Sequence, residues 1–248
     1  MSIKHATKTK RAPSHLLAPI IRLRRHEVLD ILLPTLREHH IPVPGSAVKE
    51  AIALPLPLAT IYLDRLFALE WDVNTALSNT EPPVLSIALA DIMLVCWLLR
   101  RGADPNTPCD IDCTPLSIAV REAPVPVVEL LLHHAQDSHN GHLVFHTVHR
   151  PDPKECTSLT RTLHRYNKPI DDILYQDARS YNLRAHFVRG TPLYYACKNG
   201  KPSVALTLIE LGADPDKPCM RYNQAVGPTP REVAATNGWS RELMERLK

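Results

Sequence analysis

Histidines are the residues of this 248-residue chain whose type and spacing most readily support chemistry. Metal ligands must converge on one point, so histidines that share a helix face are the candidate ligands. His142, His146 and His149 have that spacing. Asp152 or Cys156 would be the fourth ligand, although Pro151 and Pro153 end any helix before it. A metal- or ligand-binding module in segment 133–149 is therefore one interpretation, and a solvated cluster without metal is the other. The cluster comprises His133, His134, His139, His142, His146 and His149.

The six cysteines carry a weaker chemical signal. Cys109 and Cys113 are four residues apart, which differs from the Cys-x-x-Cys spacing of zinc sites. Cys109 and Cys219 occupy equivalent places in two copies of one phrase, so their recurrence follows from the repeat. We expect neither a disulfide framework nor a metal site at the cysteines.

Motifs for catalysis are missing from the sequence. It has no Gly-x-Ser-x-Gly elbow, and His26-Glu27 is followed by Asp30 where a zinc protease helix needs a second histidine. Only eight glycines are present, and their wide spacing excludes a glycine-rich phosphate loop. We therefore predict that the protein is not an enzyme, has no catalytic residues and binds no cofactor.

Two phrases recur at a fixed interval and define the architecture. Gly102-Ala103-Asp104-Pro105 returns as Gly212-Ala213-Asp214-Pro215, and Thr114-Pro115-Leu116 returns as Thr191-Pro192-Leu193. Thr114 follows Gly102 by 12 residues and Gly212 follows Thr191 by 21, which gives a period of 33. The distances of 77 and 110 residues between the copies exceed two and three periods by the same 11 residues. The chain is thus a stack of repeated units with one insertion before Thr191.

Each phrase has a physical reason. A threonine hydroxyl caps a helix while the following proline occupies the first helical position, where a missing N–H costs nothing. Gly102 and Gly212 follow apolar runs with helical spacing, at the point where a left-handed helix end needs a residue without Cβ. Thr-Pro therefore marks the start of a helix, and Gly-Ala-Asp-Pro marks its end.

A 33-residue unit with Thr-Pro-Leu-x-x-Ala, a later Gly, an apolar pair and Gly-Ala-Asp resembles the ankyrin repeat. The resemblance is most complete from Thr191 to Asp214, whereas Ala123 and Ala135 replace glycines of the pattern in the unit at 114. It implies an all-α ankyrin-repeat solenoid of stacked helix pairs with extended, hairpin-like fingers. The clear units are 83–113, 114–141 and 191–228, the degenerate units are 27–45, 46–82 and 142–190, and 229–248 is a capping repeat. His146 falls near a place where ankyrin repeats often carry a structural histidine.

The resemblance also implies a protein partner bound on the concave surface of the fingers and first helices. Tyr194 and Tyr195 stand where an aromatic pair could anchor a partner. The alternative is that Tyr195 packs into the core and Tyr194 is partly exposed. The family's exposed positions, carried over one by one, select Asp110, Asp112, Arg121, Glu122, Tyr194, Lys198, Asn199, Arg221, Tyr222, Thr236 and Asn237.

The N-terminus carries a concentration of positive charge. Residues 1–26 hold seven Lys or Arg and no acid, whereas the rest of the chain holds 22 basic and 26 acidic residues. We expect a flexible tail. Its role is one of four: a nuclear-import signal around Lys8–Arg11, a transit segment, an arm that binds nucleic acid or an acidic partner, or a solvated leader without a binding role. Asp91 interrupts the longest apolar stretch, so no membrane span is expected. The expected protein is a monomer in the cytoplasm or nucleus, and nucleic acid would bind only through this tail.

Overall fold

A computed structural model describes residues 13–135 and 141–247. Short 3-10 helices span Pro13–Leu16 and Val84–Ile87. The strands are β1 (Ala76–Ser78), β2 (Glu81–Pro83), β3 (Met220–Arg221) and β4 (Gln224–Ala225). The helices are α1 (Leu17–Arg22), α2 (His26–Glu38), α3 (Gly45–Ile52), α4 (Leu56–Phe67), α5 (Ile92–Arg100), α6 (Pro115–Glu122), α7 (Val125–His134), α8 (Leu143–Thr147), α9 (Pro153–Arg165), α10 (Ala178–Arg184), α11 (Pro192–Lys198), α12 (Pro202–Glu210), α13 (Pro230–Thr236) and α14 (Arg241–Glu245).

The helices form a stack of pairs, which confirms the all-α solenoid. The first helices of successive pairs make one continuous row, in the order α1, α3, the 3-10 helix at 84–87, α6, α8, α11 and α13. The second helices lie outside this row, where α2 packs on α4, α4 on α5 and α9 on α12. We call the first row, together with the loops that precede it, the inner face. Such a stack buries the apolar side of each unit against its neighbours.

The predicted helix starts at Thr114-Pro115 and Thr191-Pro192 are confirmed, and Thr229-Pro230 begins a third helix in the same way. The hydroxyl of Thr114 accepts a hydrogen bond from the N–H of Ser117 at 3.0 Å, and the Thr191 hydroxyl accepts one from the N–H of Tyr194 at 3.2 Å. Thr229 exchanges hydrogen bonds with Glu232 in a reciprocal capping box. Each cap satisfies N–H groups that the first helical turn leaves without partners.

The Gly-Ala-Asp-Pro phrases end helices, as predicted, and also connect to the next unit. Gly102 and Gly212 have φ angles of 85° and 97°, in the left-handed region that glycine adopts without strain. The carbonyl of Pro105 then accepts a hydrogen bond from Leu116 N–H at 3.0 Å, in the first turn of α6. Pro215 makes the equivalent bond to Arg231 at 3.1 Å. The phrase therefore fixes the distance between one unit and the next.

Two fingers are antiparallel hairpins. Strands β1 and β2 pair Ala76 with Pro83 and Ser78 with Glu81. Strands β3 and β4 pair Met220 with Ala225 and Arg221 with Gln224. Arg189 adds an isolated bridge to Met220. The fingers at residues 76–83 and 220–225 therefore present their turns beside the inner face.

The folded stack begins earlier than the charge pattern predicts. Residues 13–22 are helical, and Leu17 and Ile21 are buried in the core, where α1 packs on α3. The first helix pair is thus α1 with α2, which corrects both the tail boundary at residue 26 and the unit at 27–45. Apolar residues at helical spacing override the local excess of basic residues, because Arg22, Arg24 and Arg25 stay exposed. Residues 1–12, with Lys8–Arg11, lie outside the described part.

Among the helices of the two described ranges, none has the length and apolarity needed to cross a lipid bilayer.

All six cysteines have free thiols, and five of them are buried. Cys109 and Cys113 lie in one turn, where the Cys109 N–H donates to the Cys113 carbonyl at 2.9 Å. The hydrogen bond between the two thiols lowers the pKa of Cys109 and raises the pKa of Cys113.

Replacing Thr191 with alanine tests the capping contribution. Thr191→Ala removes the acceptor for a buried N–H and should lower the free energy of unfolding by about 1 kcal/mol. Thr75→Ala is the matched control, because Thr75 is exposed, and its replacement should stay within about 0.5 kcal/mol. Urea unfolding measures both. Equal effects of the two substitutions would contradict the capping role.

Candidate functional site

A groove on the inner face is a candidate binding site. It has a volume of about 800 Å³ and lies between the unit at 83–113 and the unit at 114–141. The 3-10 helix contributes Ile87, the loop before α6 contributes Ile111, and α6 contributes Ile118 and Arg121. We call this feature the inner groove. The groove lies between two units because the 3-10 helix of one unit packs there on α6 of the next.

The chemistry of the inner groove combines an apolar floor with charged walls. Ile87 is 38% exposed, and Ile111 and Ile118 are half-buried, so aliphatic surface faces the opening. On one wall, the Arg121 guanidinium donates to the Glu122 carboxylate at 2.7 Å. At the other wall, Lys49 forms an ion pair with Glu81 at 2.6 Å. Exposed pairs of this kind contribute little to stability, which leaves their charges available to a ligand.

The predicted partner-binding residues fall into three groups. Arg121 and Glu122 line the inner groove. Lys198, Asn199, Arg221, Tyr222 and Thr236 are exposed on first helices or on the second finger. The other four predicted positions, Asp110, Asp112, Tyr194 and Asn237, make contacts within the protein.

Tyr194 is a correction to the prediction of an exposed aromatic anchor, and also to its alternative. Tyr194 is 8% exposed, because its ring lies over Gly190, where an added Cβ would be 2.5 Å from a ring carbon. Tyr195 is the more accessible of the two, and its ring meets that of Phe145 edge to face at 4.9 Å. The direction of the two side chains depends on the register of α11 in the stack. Only the alternative, with Tyr195 in the core and Tyr194 partly exposed, assigns the two side chains the wrong way round.

Asn237 is exposed, remains a predicted partner-binding position and also makes a contact within the protein. Its side chain donates to the carbonyl of Cys197 at 2.9 Å and so joins α13 to α11. The Thr236 hydroxyl bonds to the Glu232 carbonyl one turn back along its own helix. Asn237 therefore stabilises the last unit, although part of it remains exposed.

The insertion before Thr191 bridges two fingers. Helix α10 lies within it, and Arg179 at the start of this helix approaches the carboxylate of Asp110 at 3.5 Å. At the other end, the Ala185 carbonyl accepts a hydrogen bond from Tyr222 N–H at 3.1 Å. The insertion thus connects the loop at 109–113 with the finger at 220–225. The spacing of the repeats gave the length of the insertion, but not its course.

Arg189 holds this insertion in place from inside. It is 1% exposed, donates to the Tyr175 carbonyl at 2.7 Å, and lies over the Tyr181 ring at 5.1 Å. Its backbone N–H and C=O both pair with Met220, at 2.9 and 2.8 Å. A buried cation needs such partners, because burial without them is costly. One side chain therefore joins the loop at 174–175, α10 and β3.

An exposed apolar patch lies where the insertion meets the second finger. Its four residues were not selected as a group from the sequence, because they come from segments separated by more than thirty positions. Tyr222 is 60% exposed and Phe187 is 49% exposed. We call this set the finger patch, which consists of Phe187, Val188, Tyr222 and Val226.

The histidine-rich segment does not form the predicted cluster. Helix α8 ends at Thr147, so His149 lies beyond it, and His142 precedes it in a left-handed conformation. His146 points into the core, where burial lowers its pKa to about 3. Asp152 caps α9, and Cys156 is buried. His139 lies outside the described residues.

His142 lies instead beside two carboxylates from other segments. Its Nε2 is 3.1 Å from Oδ2 of Asp112, and the ligand atoms of Asp112, His142 and Asp177 all lie within 4.8 Å of one another. Burial lowers the pKa of His142. Burial also raises the pKa of Asp112 to about 6, although the hydrogen bond from Gly141 N–H opposes this shift. Sequence spacing could not reveal the group, because its members are 30 and 35 residues apart.

Comparisons with known proteins agree with the repeat architecture. The model of the ankyrin-repeat family matches residues 189–217. Ankyrin repeat protein nuc-2 of Neurospora crassa is 30% identical over 157 residues, which is 58% of this chain and 13% of that protein. The chain therefore spans only a small part of the length of this relative.

A solved structure has a similar fold. The ankyrin repeat domain of human ASB11 aligns with a TM-score of 0.51 and 24% identity. The alignment covers 82% of this chain and 80% of the other. The similarity therefore extends well beyond the repeat that the family model matches.

The buried His146 predicts a pH-dependent stability. The unfolded chain takes up a proton near pH 6.5, whereas the folded chain does so only near pH 3. The contribution of His146 to stability should therefore fall below pH 6.5 by about 1.4 kcal/mol per pH unit. Between pH 7.5 and 5.0, the original protein should lose about 2 kcal/mol more than His146→Leu. Urea unfolding at both pH values provides the measurement, and parallel losses would show that His146 protonates freely in the folded state.

Proposed function

The chain is an ankyrin-repeat protein, and from that premise we propose that it binds a partner protein in the inner groove. Ankyrin repeats generally serve as protein–protein interaction modules, and proteins built from them are typically non-enzymatic scaffolds. The extended surface of such a stack suits a partner segment that contacts several units at once. We propose a scaffold or adaptor role, without catalysis.

The apolar floor of the inner groove is the observation that carries this proposal. A volume of about 800 Å³ accommodates several side chains, and Ile87, Ile111 and Ile118 offer them aliphatic contacts. Exposed apolar surface inside a polar rim is typical of sites that bind another protein. The rim here is charged, with Arg121 and Glu122 on one wall and Glu81 on the other. The preferred partner is therefore a segment that inserts aliphatic or aromatic side chains between polar flanks.

The finger patch supports a second point of contact for the same partner. Aromatic residues dominate binding energy at protein interfaces, and Tyr222 and Phe187 are both about half exposed. Helix α10 lies between this patch and the loop at 109–113, whose Ile111 belongs to the inner groove. A long partner segment could therefore contact the groove and then the patch. Lys198 at the end of α11 and Asn199 directly after it are exposed and add polar contacts.

Location and stoichiometry complete the proposal. The free thiols of all six cysteines fit a reducing compartment, and we propose the cytoplasm or the nucleus. We further propose that the protein acts as a monomer toward its partner. A role in nucleic-acid binding would depend on the basic residues before position 12.

A double substitution in the inner groove should abolish partner binding and preserve the fold. Ile87→Glu with Arg121→Glu places negative charge on the apolar floor and reverses the charge of one wall. We expect affinity for the partner to fall at least tenfold, because both changes act inside the proposed contact. Affinity capture from cells that express the protein identifies the partner, and titration calorimetry with the purified partner gives the affinity.

The outer face provides a matched control. Met93→Glu with Arg100→Glu makes the same chemical changes on α5, where Met93 is 56% exposed and Arg100 bonds only within its own helix. This variant should bind as the original does. Both variants should keep the melting temperature within a few degrees, because surface substitutions usually change stability little. Equal loss of binding in both variants, or in neither, would contradict the inner groove as the site.

A further inference from the structure

Three segments far apart in sequence bring two carboxylates and one imidazole together. Asp112 lies in the turn between Cys109 and Thr114, His142 precedes α8, and Asp177 caps the start of α10. Their ligand atoms lie within 4.8 Å of one another. Asp112 and His142 are largely buried, with side chains 12% and 13% exposed. The group is therefore a compact site at the junction of a finger loop, the inner face and the insertion.

The backbone around this site is held in conformations that point the side chains inward. Asp112 and His142 both have left-handed φ angles, of 49° and 45°, which are uncommon for residues with a Cβ. Gly141 also has a positive φ, and a Cβ there would overlap the hydroxyls of Ser117 and Thr114. Gly141 N–H in turn donates to Oδ1 of Asp112 at 3.2 Å. These contacts orient Oδ2 of Asp112 toward His142.

The hydrogen bonds around Asp112 and His142 leave two acceptor atoms facing each other, with negative charge that no donor in the described part of the chain compensates. Tyr175 N–H donates to Nε2 of His142 at 3.1 Å, so this nitrogen acts as an acceptor and carries no proton. Oδ2 of Asp112, a second acceptor, is also 3.1 Å from it. Two acceptors at that distance repel unless a cation or a proton lies between them. Arg179 pairs with Asp110 rather than with Asp112.

We propose that Asp112, His142 and Asp177 bind one divalent transition-metal ion, of which Zn²⁺ is the preferred example. Zn²⁺ accepts imidazole nitrogen and carboxylate oxygen at about 2.0–2.2 Å, with water in a remaining position. In a tetrahedral arrangement the ligand atoms lie about 3.3–3.6 Å apart, so these side chains must rotate to complete the site. The Nε2 lone pair of His142 must exchange its hydrogen bond from Tyr175 N–H for the ion. The bound ion links the insertion to the finger loop and to α8.

Titration calorimetry of the full chain, first treated with a chelator and then dialysed, tests this site with Zn²⁺. We expect one equivalent to bind, and the ion to raise the melting temperature because it binds only the folded state. Asp112→Asn, Asp177→Asn and His142→Gln should each weaken binding at least tenfold. Asp110→Asn and His149→Gln are the matched controls and should bind within twofold of the original, since neither residue belongs to the group.

Substitution of the thiols separates this site from the nearby cysteines. A Cys109→Ser, Cys113→Ser variant should keep its Zn²⁺ affinity, and Co²⁺ bound to the full chain should show no thiolate charge-transfer absorption. Binding that survives Asp112→Asn and His142→Gln, or that is lost with the two cysteines, would overturn the proposal. So would the lack of a saturable equivalent of Zn²⁺, in which case a proton on Asp112 separates the two acceptors. The two aspartate variants preserve side-chain shape, so the test remains decisive if His142→Gln does not fold.

Discussion

The contact between one first helix and the next is the interaction on which the rest of this structure depends. Ala119, Ala196 and Ala234 are fully buried where α6, α11 and α13 meet their neighbours, and small side chains there let the helices approach closely. No unit buries its apolar face alone, so stability comes from neighbouring units. The carbonyls of Pro105 and Pro215 then set the spacing through their bonds to the following unit.

The regular stack forms the inner face of the molecule. The segments that depart from the repeat form the groove and the exposed apolar patch on that face. The unit at 83–113 has a single 3-10 turn as its first helix, and the inner groove opens beside it. The insertion crosses from the loop at 109–113 to the second finger and exposes Phe187 next to Tyr222. Departures from the repeat therefore produce both the inner groove and the finger patch.

The insertion before Thr191 contains a buried polar network. Arg189 is buried over the Tyr181 ring, and its Nε and Nη2 find no hydrogen-bond partner among the described residues. Asp112 and His142 lie a short distance away, joined to it through Tyr175, which bonds to both Arg189 and His142. Buried polar networks of this kind cost free energy unless they are satisfied. Polar contacts therefore help to fix the position of the insertion, together with the buried side chains of Ile173, Leu174 and Ala185.

The repeated unit, its period and the helix ends at the Thr-Pro and Gly phrases follow from the sequence, because these signals act through bonds within a few residues. Thr114, Thr191, Gly102 and Gly212 could be assigned their roles for this reason. Only the tertiary structure decided that Tyr194 turns inward, that residues 13–22 join the stack, and that His142 meets Asp112 and Asp177. Those outcomes depend on contacts between residues distant along the chain, and on helix register against a neighbour, which no local pattern encodes.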